Sequence, residues 1–196
     1  MEVIKLNLGC GYKRITGFVN VDKEPLTKPD VLWDLEKFPW PWKDNSVNEV
    51  KLVHVLEHLG RETSVYKNII QELYRVCING AAIEIRVPYF RHTFYWADPT
   101  HVRAITPFGM ALLSQSKNKE WIAAGYANTT LGLFWNVDFE VANVHWIVDK
   151  RVWDDMFPHM TLSENEMQEF LGHRGVEINE LVSEVHIGLT VIKTNV

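Results

Sequence analysis

Two glycines, Gly9 and Gly11, bracket Cys10 directly after the first apolar run of the chain, Val3-Ile4-Lys5-Leu6-Asn7-Leu8. A β-branched, leucine-rich run that halts at glycine reads as a strand entering a tight turn. Glycine at such a turn lets the backbone bend sharply and lets a ligand approach it closely. Four more strand-like runs follow. They are Gly17-Phe18-Val19-Asn20-Val21-Asp22, Asp30-Val31-Leu32-Trp33-Asp34, residues 47–53 after the turn Lys43-Asp44-Asn45-Ser46, and Ala81-Ala82-Ile83-Glu84-Ile85-Arg86-Val87 closed by Pro88. Between the last two, Val65, Ile69, Ile70, Leu73 and Val76 recur every three to four residues, which predicts an amphipathic helix over 62–76. Asn79-Gly80 is expected to end that helix. Strands alternating with helices predict an α/β fold, a mainly parallel sheet with helices on both faces.

The second half reads differently. Residues 106–116 predict a helix with Pro107 in its first turn, and 134–148 predict one long strand or two short ones. Ser163-Glu164-Asn165-Glu166 offers a capping box for a helix that stops near Gly172. Residues 184–193 form a closing strand, and late strands without crossovers predict an antiparallel addition at the sheet edge.

A chain of 196 residues is long enough to bury a core as one domain, 1–196. Its formal net charge of -5 argues against broad nucleic-acid binding, which needs a basic surface to displace counterions. Cys10 and Cys77 make neither a disulfide framework nor a paired metal motif, so both are expected as reduced thiols of a cytoplasmic protein. The start, Met1-Glu2-Val3-Ile4-Lys5-Leu6, is too short and too charged for a signal peptide. No apolar run approaches the roughly 20 residues that span a bilayer, so no membrane partner is expected.

In an open parallel sheet, ligands bind beyond the carboxyl ends of the strands. The sequence delivers Gly9-Cys10-Gly11, Asp22, Asp34-Leu35, His54-Val55 and Pro88-Tyr89 to those ends. A carboxylate at Asp22 can accept from both hydroxyls of a ribose. Asp34 can accept from an adenine amino group while the Leu35 amide serves a ring nitrogen. A nucleoside site results. No Lys-Ser/Thr pair follows the turn, which excludes a nucleoside-triphosphate loop. The dinucleotide fingerprint needs a third glycine and an acid about 20 residues on; here Gly11 is followed by Tyr12-Lys13-Arg14, and Asp22 comes sooner. A cofactor without phosphates fits better.

Leu6-Asn7-Leu8-Gly9-Cys10-Gly11 resembles the first motif of class I S-adenosylmethionine-dependent methyltransferases, and Asn20-Val21-Asp22 the acidic end of their second strand. Asp44-Asn45-Ser46-Val47-Asn48-Glu49-Val50 with His54-Val55-Leu56-Glu57-His58-Leu59 is similar to their fourth strand and following turn. Asp98-Pro99-Thr100-His101-Val102-Arg103 is similar to a segment of small methyltransferase-like proteins. The resemblance implies a Rossmann-like methyltransferase fold. Its three-layer sandwich would hold a seven-stranded sheet, six strands parallel and one antiparallel strand inserted near the edge. It implies S-adenosylmethionine as cofactor, with Gly9 and Gly11 at its methionine end, Asp22 on the ribose, Asp34 and Leu35 beside adenine, and His54 near the methyl group. Cys10 would be a small filler beneath it. The chain departs from the pattern at Asn48, where aspartate is common, and at the aromatic Phe38-Pro39-Trp40-Pro41-Trp42. With five residues between Gly11 and Gly17, the helix after the first turn is expected to be very short or missing.

His54-Val55-Leu56-Glu57-His58 spells H-x-x-E-H, an inverted zinc-protease motif. His54 follows a strand and Gly60 breaks the segment, so no metal is expected, and Glu57 and His58 read as a capping and packing pair. After Pro88, Tyr89, Arg91, His92, Asp98, His101 and Arg103 lie among aromatic residues, the makeup of a polar-acceptor pocket. His92 or His101 would take a proton from the acceptor. Tyr89, Arg91, Asp98 and Arg103 would bind it, the arginines through a phosphate or carboxylate. The expected partner is a small polar acceptor, such as a sugar or sugar-linked metabolite. The competing expectation is a non-catalytic module that binds the nucleoside only. Trp135, Trp146 and Trp153 are expected in the core or at an edge, and exposed ones would supply a homo-oligomer contact.

Overall fold

The computed structural model describes residues 4–193, so the readings that fell on Met1, Glu2 and Val3 lie outside the described residues. Among them, seven strands form one sheet: β1 (Ile4–Leu8), β2 (Val19–Asp22), β3 (Val31–Leu32), β4 (Val47–Val53), β5 (Cys77–Pro88), β6 (Phe139–Val148) and β7 (Val182–Val191). Their order across the sheet is β3-β2-β1-β4-β5-β7-β6. β1 to β5 pair in parallel, and β7 lies antiparallel to both β5 and β6. The expected mainly parallel seven-stranded sheet is therefore present. The one antiparallel strand, β7, is inserted next to the edge, as the family resemblance implies, and β6 takes the edge itself, where the lack of late crossovers predicts the antiparallel addition.

The burial patterns explain that placement. β7 buries Val182, Val185, Ile187, Leu189 and Val191 at alternating or near-alternating positions and bonds on both sides, whereas β6 buries only Phe139 fully. A strand with exposed positions is better suited to an edge. Gln168, on the helix that precedes β7, guards this edge. Its Nε2 donates to the Trp146 carbonyl (2.9 Å) and its Oε1 accepts from the Trp146 amide (2.7 Å).

Helix α1 (Thr63–Val76) buries Tyr66, Ile69, Ile70, Leu73 and Val76 against the apolar face of the sheet, with Leu6, Leu8, Val50, Leu52, Ile83 and Ile85 in the same core. It ends at Val76, and β5 begins at Cys77. Asn79-Gly80 does not end the helix; Gly80, at φ 76, lies within β5 where the register slips between Val47↔Cys77 and Glu49↔Ala82. Between β5 and β6 come α2 (Thr93–Ala97), α3 (Pro107–Ala111), α4 (Gln115–Ala123) and α5 (Leu131–Trp135). The single helix expected over 106–116 is split because Ser114 caps α4, accepting from the Lys117 amide. α6 (Lys150–Met156) and α7 (Glu164–His173) connect β6 to β7, and α7 opens on the expected Ser163/Glu166 capping box.

The opposite face of the sheet carries Lys5, Glu49, Lys51, Glu84, Arg86, Glu184 and His186, half-buried or exposed in neighbouring strands. Lys5 pairs with Glu49 and Lys51 with Glu84, each at 2.8 Å. Neither the β1–β2 nor the β2–β3 connection holds an α-helix; the latter has only a 3-10 turn, Pro25–Thr27. The layer on this side is thinned to a loop, residues 11–18. Buried Asn7 and Asn20 hold it down. Asn7 Nδ2 donates to the Lys13 carbonyl (3.0 Å) and to Asn20 Oδ1 (2.9 Å), which also accepts from the Ile15 amide (2.8 Å).

Candidate functional site

The carboxyl ends of β1, β2 and β4 meet at two adjoining clefts. One, of about 440 Å³, is lined by Gly9, Asp22, Asp34, Leu35, His54, His58 and Thr100 among others. The second, of about 500 Å³, is lined by Cys10, Gly11, Tyr12, Lys13, Arg14 and Val53. Both include Gly9 and His54. All seven residues expected around the cofactor, Gly9, Cys10, Gly11, Asp22, Asp34, Leu35 and His54, thus line one or other of these adjoining clefts. A larger cleft, of about 790 Å³, lies at the other end of the sheet near Asp44, Arg75 and Lys193. Arg75 there is spent on Glu72 and Asp44, and that end is not where open parallel sheets bind ligands.

Gly9 is fixed by sterics. Its φ is +64, and a Cβ there would stand 2.5 Å from Val55 Cγ2. The Gly11 amide donates to Asp22 Oδ2 (2.7 Å) and the Glu24 amide to Oδ1 (2.9 Å), which locks the carboxylate at the strand end. Each oxygen keeps a lone pair for a ligand hydroxyl. Burial raises the Cys10 thiol above its ordinary range, and the Asp22 carboxylate adds to this, so Cys10 stays protonated and unreactive.

His54 sits at the junction with φ 55, in the left-handed region. Its Nε2 lies 3.3 Å from Glu184 Oε2 and its Nδ1 3.6 Å from Glu57 Oε1. The Glu184 and then the Glu57 carboxylates raise this imidazole to about 9, so near neutral pH it is a cation that donates rather than a base. Its strained backbone is a pattern found at functional sites. Glu184 arrives from the inserted strand β7. Only knowledge of the β5–β7 register, where Pro88 opposes Glu184, could have found it.

The expected acceptor loop divides in two. His92 is buried, its Nδ1 accepts from the Phe94 amide to cap α2, and its Nε2 meets Asp149 Oδ2 at 3.2 Å. It has no opening onto the cleft, which corrects its expected role as a base. Tyr89 is buried, with its hydroxyl donating to the Val176 carbonyl and its ring edge-on to Trp146. Arg91 donates to the Glu177 carbonyl (3.1 Å). Arg103 stacks its guanidinium 4.2 Å from the buried Tyr66 ring and donates to the Gly60 carbonyl. None of these three lines either cleft. The Asp98–Arg103 part returns to the rim: Thr100 lines the cleft, Asp98 Oδ1 accepts from its hydroxyl, and His101 packs on His58 with ring centroids 4.6 Å apart.

No family model matches the chain, and no curated protein matches it in sequence. Solved structures do match. A SAM-dependent methyltransferase from Archaeoglobus fulgidus is similar over 96% of this chain and 86% of its own, with a TM-score of 0.62 at 14% identity. The chain has the fold of the S-adenosylmethionine-dependent methyltransferases. Another structure of this methyltransferase fold is a SAM-dependent methyltransferase from Thermotoga maritima, described as a possible histamine N-methyltransferase. It matches at a TM-score of 0.54 and 12% identity, over 98% of this chain and 83% of that one. The cyclase SpnF matches at 0.51 and 12%, over 98% and 76%. With a cyclase among these neighbours, the methyltransferase fold by itself does not fix the reaction.

Proposed function

We propose that this chain is an S-adenosylmethionine-dependent methyltransferase, a single domain that acts on a small polar acceptor. One observation carries the reading: the two clefts share Gly9 and His54. An adenosine placed in the first, between Asp22 and Asp34, would send its sulfur past His54 and its methionine into the second, over Gly11. Methyl transfer needs chiefly an aligned in-line attack on the sulfonium, so holding the sulfur in place at this junction would contribute much of the rate. The acceptor would enter at the rim formed by His58 and Thr100. His101 behind them is the remaining candidate base of the two first considered.

The absence of an α-helix between β1 and β2 favours a second reading, a module that binds the cofactor without turnover. That segment lacks the helix N-terminus whose dipole would otherwise face the methionine carboxylate.

Isothermal titration with S-adenosylhomocysteine tests the proposal. Saturable one-to-one binding is expected, and Asp22→Ala should weaken it by at least 10-fold, the loss of one charged hydrogen-bond acceptor. No binding at millimolar ligand would sink both readings. Binding with no methyl transfer to any acceptor in a broad panel would favour the second.

A further inference from the structure

We propose that Glu57, His58 and His101 form a binding site for one divalent first-row cation, such as Zn²⁺ or Mn²⁺, at the rim of the cleft. Among the described residues these three offer one ligand atom each, all within 4.8 Å of one another. For three such atoms some point lies within about 2.8 Å of all of them, so modest side-chain rotation reaches the roughly 2.0–2.2 Å of such an ion.

Glu57 makes the strongest demand. It is fully buried, and neither carboxylate oxygen has a hydrogen-bond partner. The His54 imidazolium, 3.6 Å from Oε1, gives that oxygen a charged neighbour beyond hydrogen-bond length and leaves Oε2 with neither a donor nor a cation. A buried carboxylate oxygen without a donor is costly, and a metal ion beside it would supply the missing partner.

The two histidines are oriented for ligation. His101 Nδ1 lies 2.6 Å from the Tyr95 carbonyl, which can only accept, so Nδ1 carries the proton and Nε2 keeps its lone pair. His58 Nδ1 lies 2.9 Å from Thr100 Oγ1, whose own hydroxyl donates to Asp98 Oδ1 at 2.6 Å. Thr100 therefore accepts from His58, and His58 Nε2 is also free. Outer partners of this kind fix the tautomer of metal-binding histidines. The Val102 and Arg103 amides donate to the Glu57 carbonyl (2.8 and 3.3 Å), pinning the loop to the turn that holds Glu57 and His58. Two imidazoles and a carboxylate, with no thiolate, suit zinc, manganese or iron better than calcium or magnesium.

The triad is not the H-x-x-E-H pair read from sequence. His54 turns toward Glu184, and the third ligand comes from the loop 43 residues after His58. His58 and Thr100 line the cleft, so an ion held here would polarise an oxygen of the acceptor, and it would do so in place of His101 as base, since His101 Nε2 is then on the ion. That use rests on the methyltransferase reading, whereas binding of the ion does not.

The test is a calorimetric titration of the chelator-treated chain with Zn²⁺ alone, repeated with Co²⁺ while following its visible absorption. One equivalent is expected at micromolar affinity or tighter. His58→Ala and His101→Ala should each weaken it by at least roughly 100-fold, while His145→Ala, on β6, should not change it. Absence of saturable one-equivalent binding, or equal affinity in the two histidine variants, would overturn the proposal. Circular dichroism reports whether Glu57→Gln folds; if it does not, the half-buried histidine variants decide. Titrating S-adenosylhomocysteine into the metal-free chain separates failure of the ion site from failure of the methyltransferase reading.

Discussion

At the scale of single residues, Gly9 carries the tightest constraint. Both its φ and the 2.5 Å approach of Val55 forbid a side chain, so Gly9→Ala is expected to cost about 1–3 kcal/mol in urea unfolding. An unchanged midpoint would show that Val55 yields freely. Gly11 also has positive φ but has open space around it, so Gly11→Ala would report backbone strain alone. The residues at strand ends were legible in sequence because a parallel sheet delivers them to one crevice, and Asp22, Asp34 and His54 needed only strand boundaries. Long-range partners were not legible. Nothing near His92 announces Asp149, and nothing near Arg103 announces the Tyr66 ring, yet these contacts take both side chains out of the cleft.

At the scale of elements, the edge of the sheet depends on α7. Gln168 supplies one donor and one acceptor to the Trp146 backbone, acting as a one-residue strand. Gln168→Ala should lower stability by about 1–2 kcal/mol and speed hydrogen exchange at the Trp146 amide. Unaltered exchange there would mean that β6 needs no such cover. Periodicity found α1 and the capping box found α7, since both signals are local. The join of α1 to β5 was misread because Asn79-Gly80 serves equally as a helix stop and as a strand irregularity, and the register with β4 decides between them. The insertion of β7 came only with the family resemblance and not from the segments themselves, because strand order is a property of pairing.

At the scale of the whole molecule, the methyltransferase fold persists with its crossovers cut down. Loops replace helices between β1 and β2 and between β2 and β3, and the sheet face they would cover carries paired charges instead of apolar side chains. Those pairs suit a solvated face. No helix among the described residues is long and apolar enough to cross a membrane. What survives the reduction is the set of strand ends around Gly9 and His54, which fits a fold whose chemistry sits where the strands stop.

Whether this junction holds S-adenosylmethionine is decided by a crystal structure with S-adenosylhomocysteine. The expected density has ribose hydroxyls on Asp22, adenine beside Asp34 and Leu35, and the sulfur next to His54 with the amino-acid end over Gly11. Density for the ligand elsewhere, or an empty junction at saturating ligand, would contradict it.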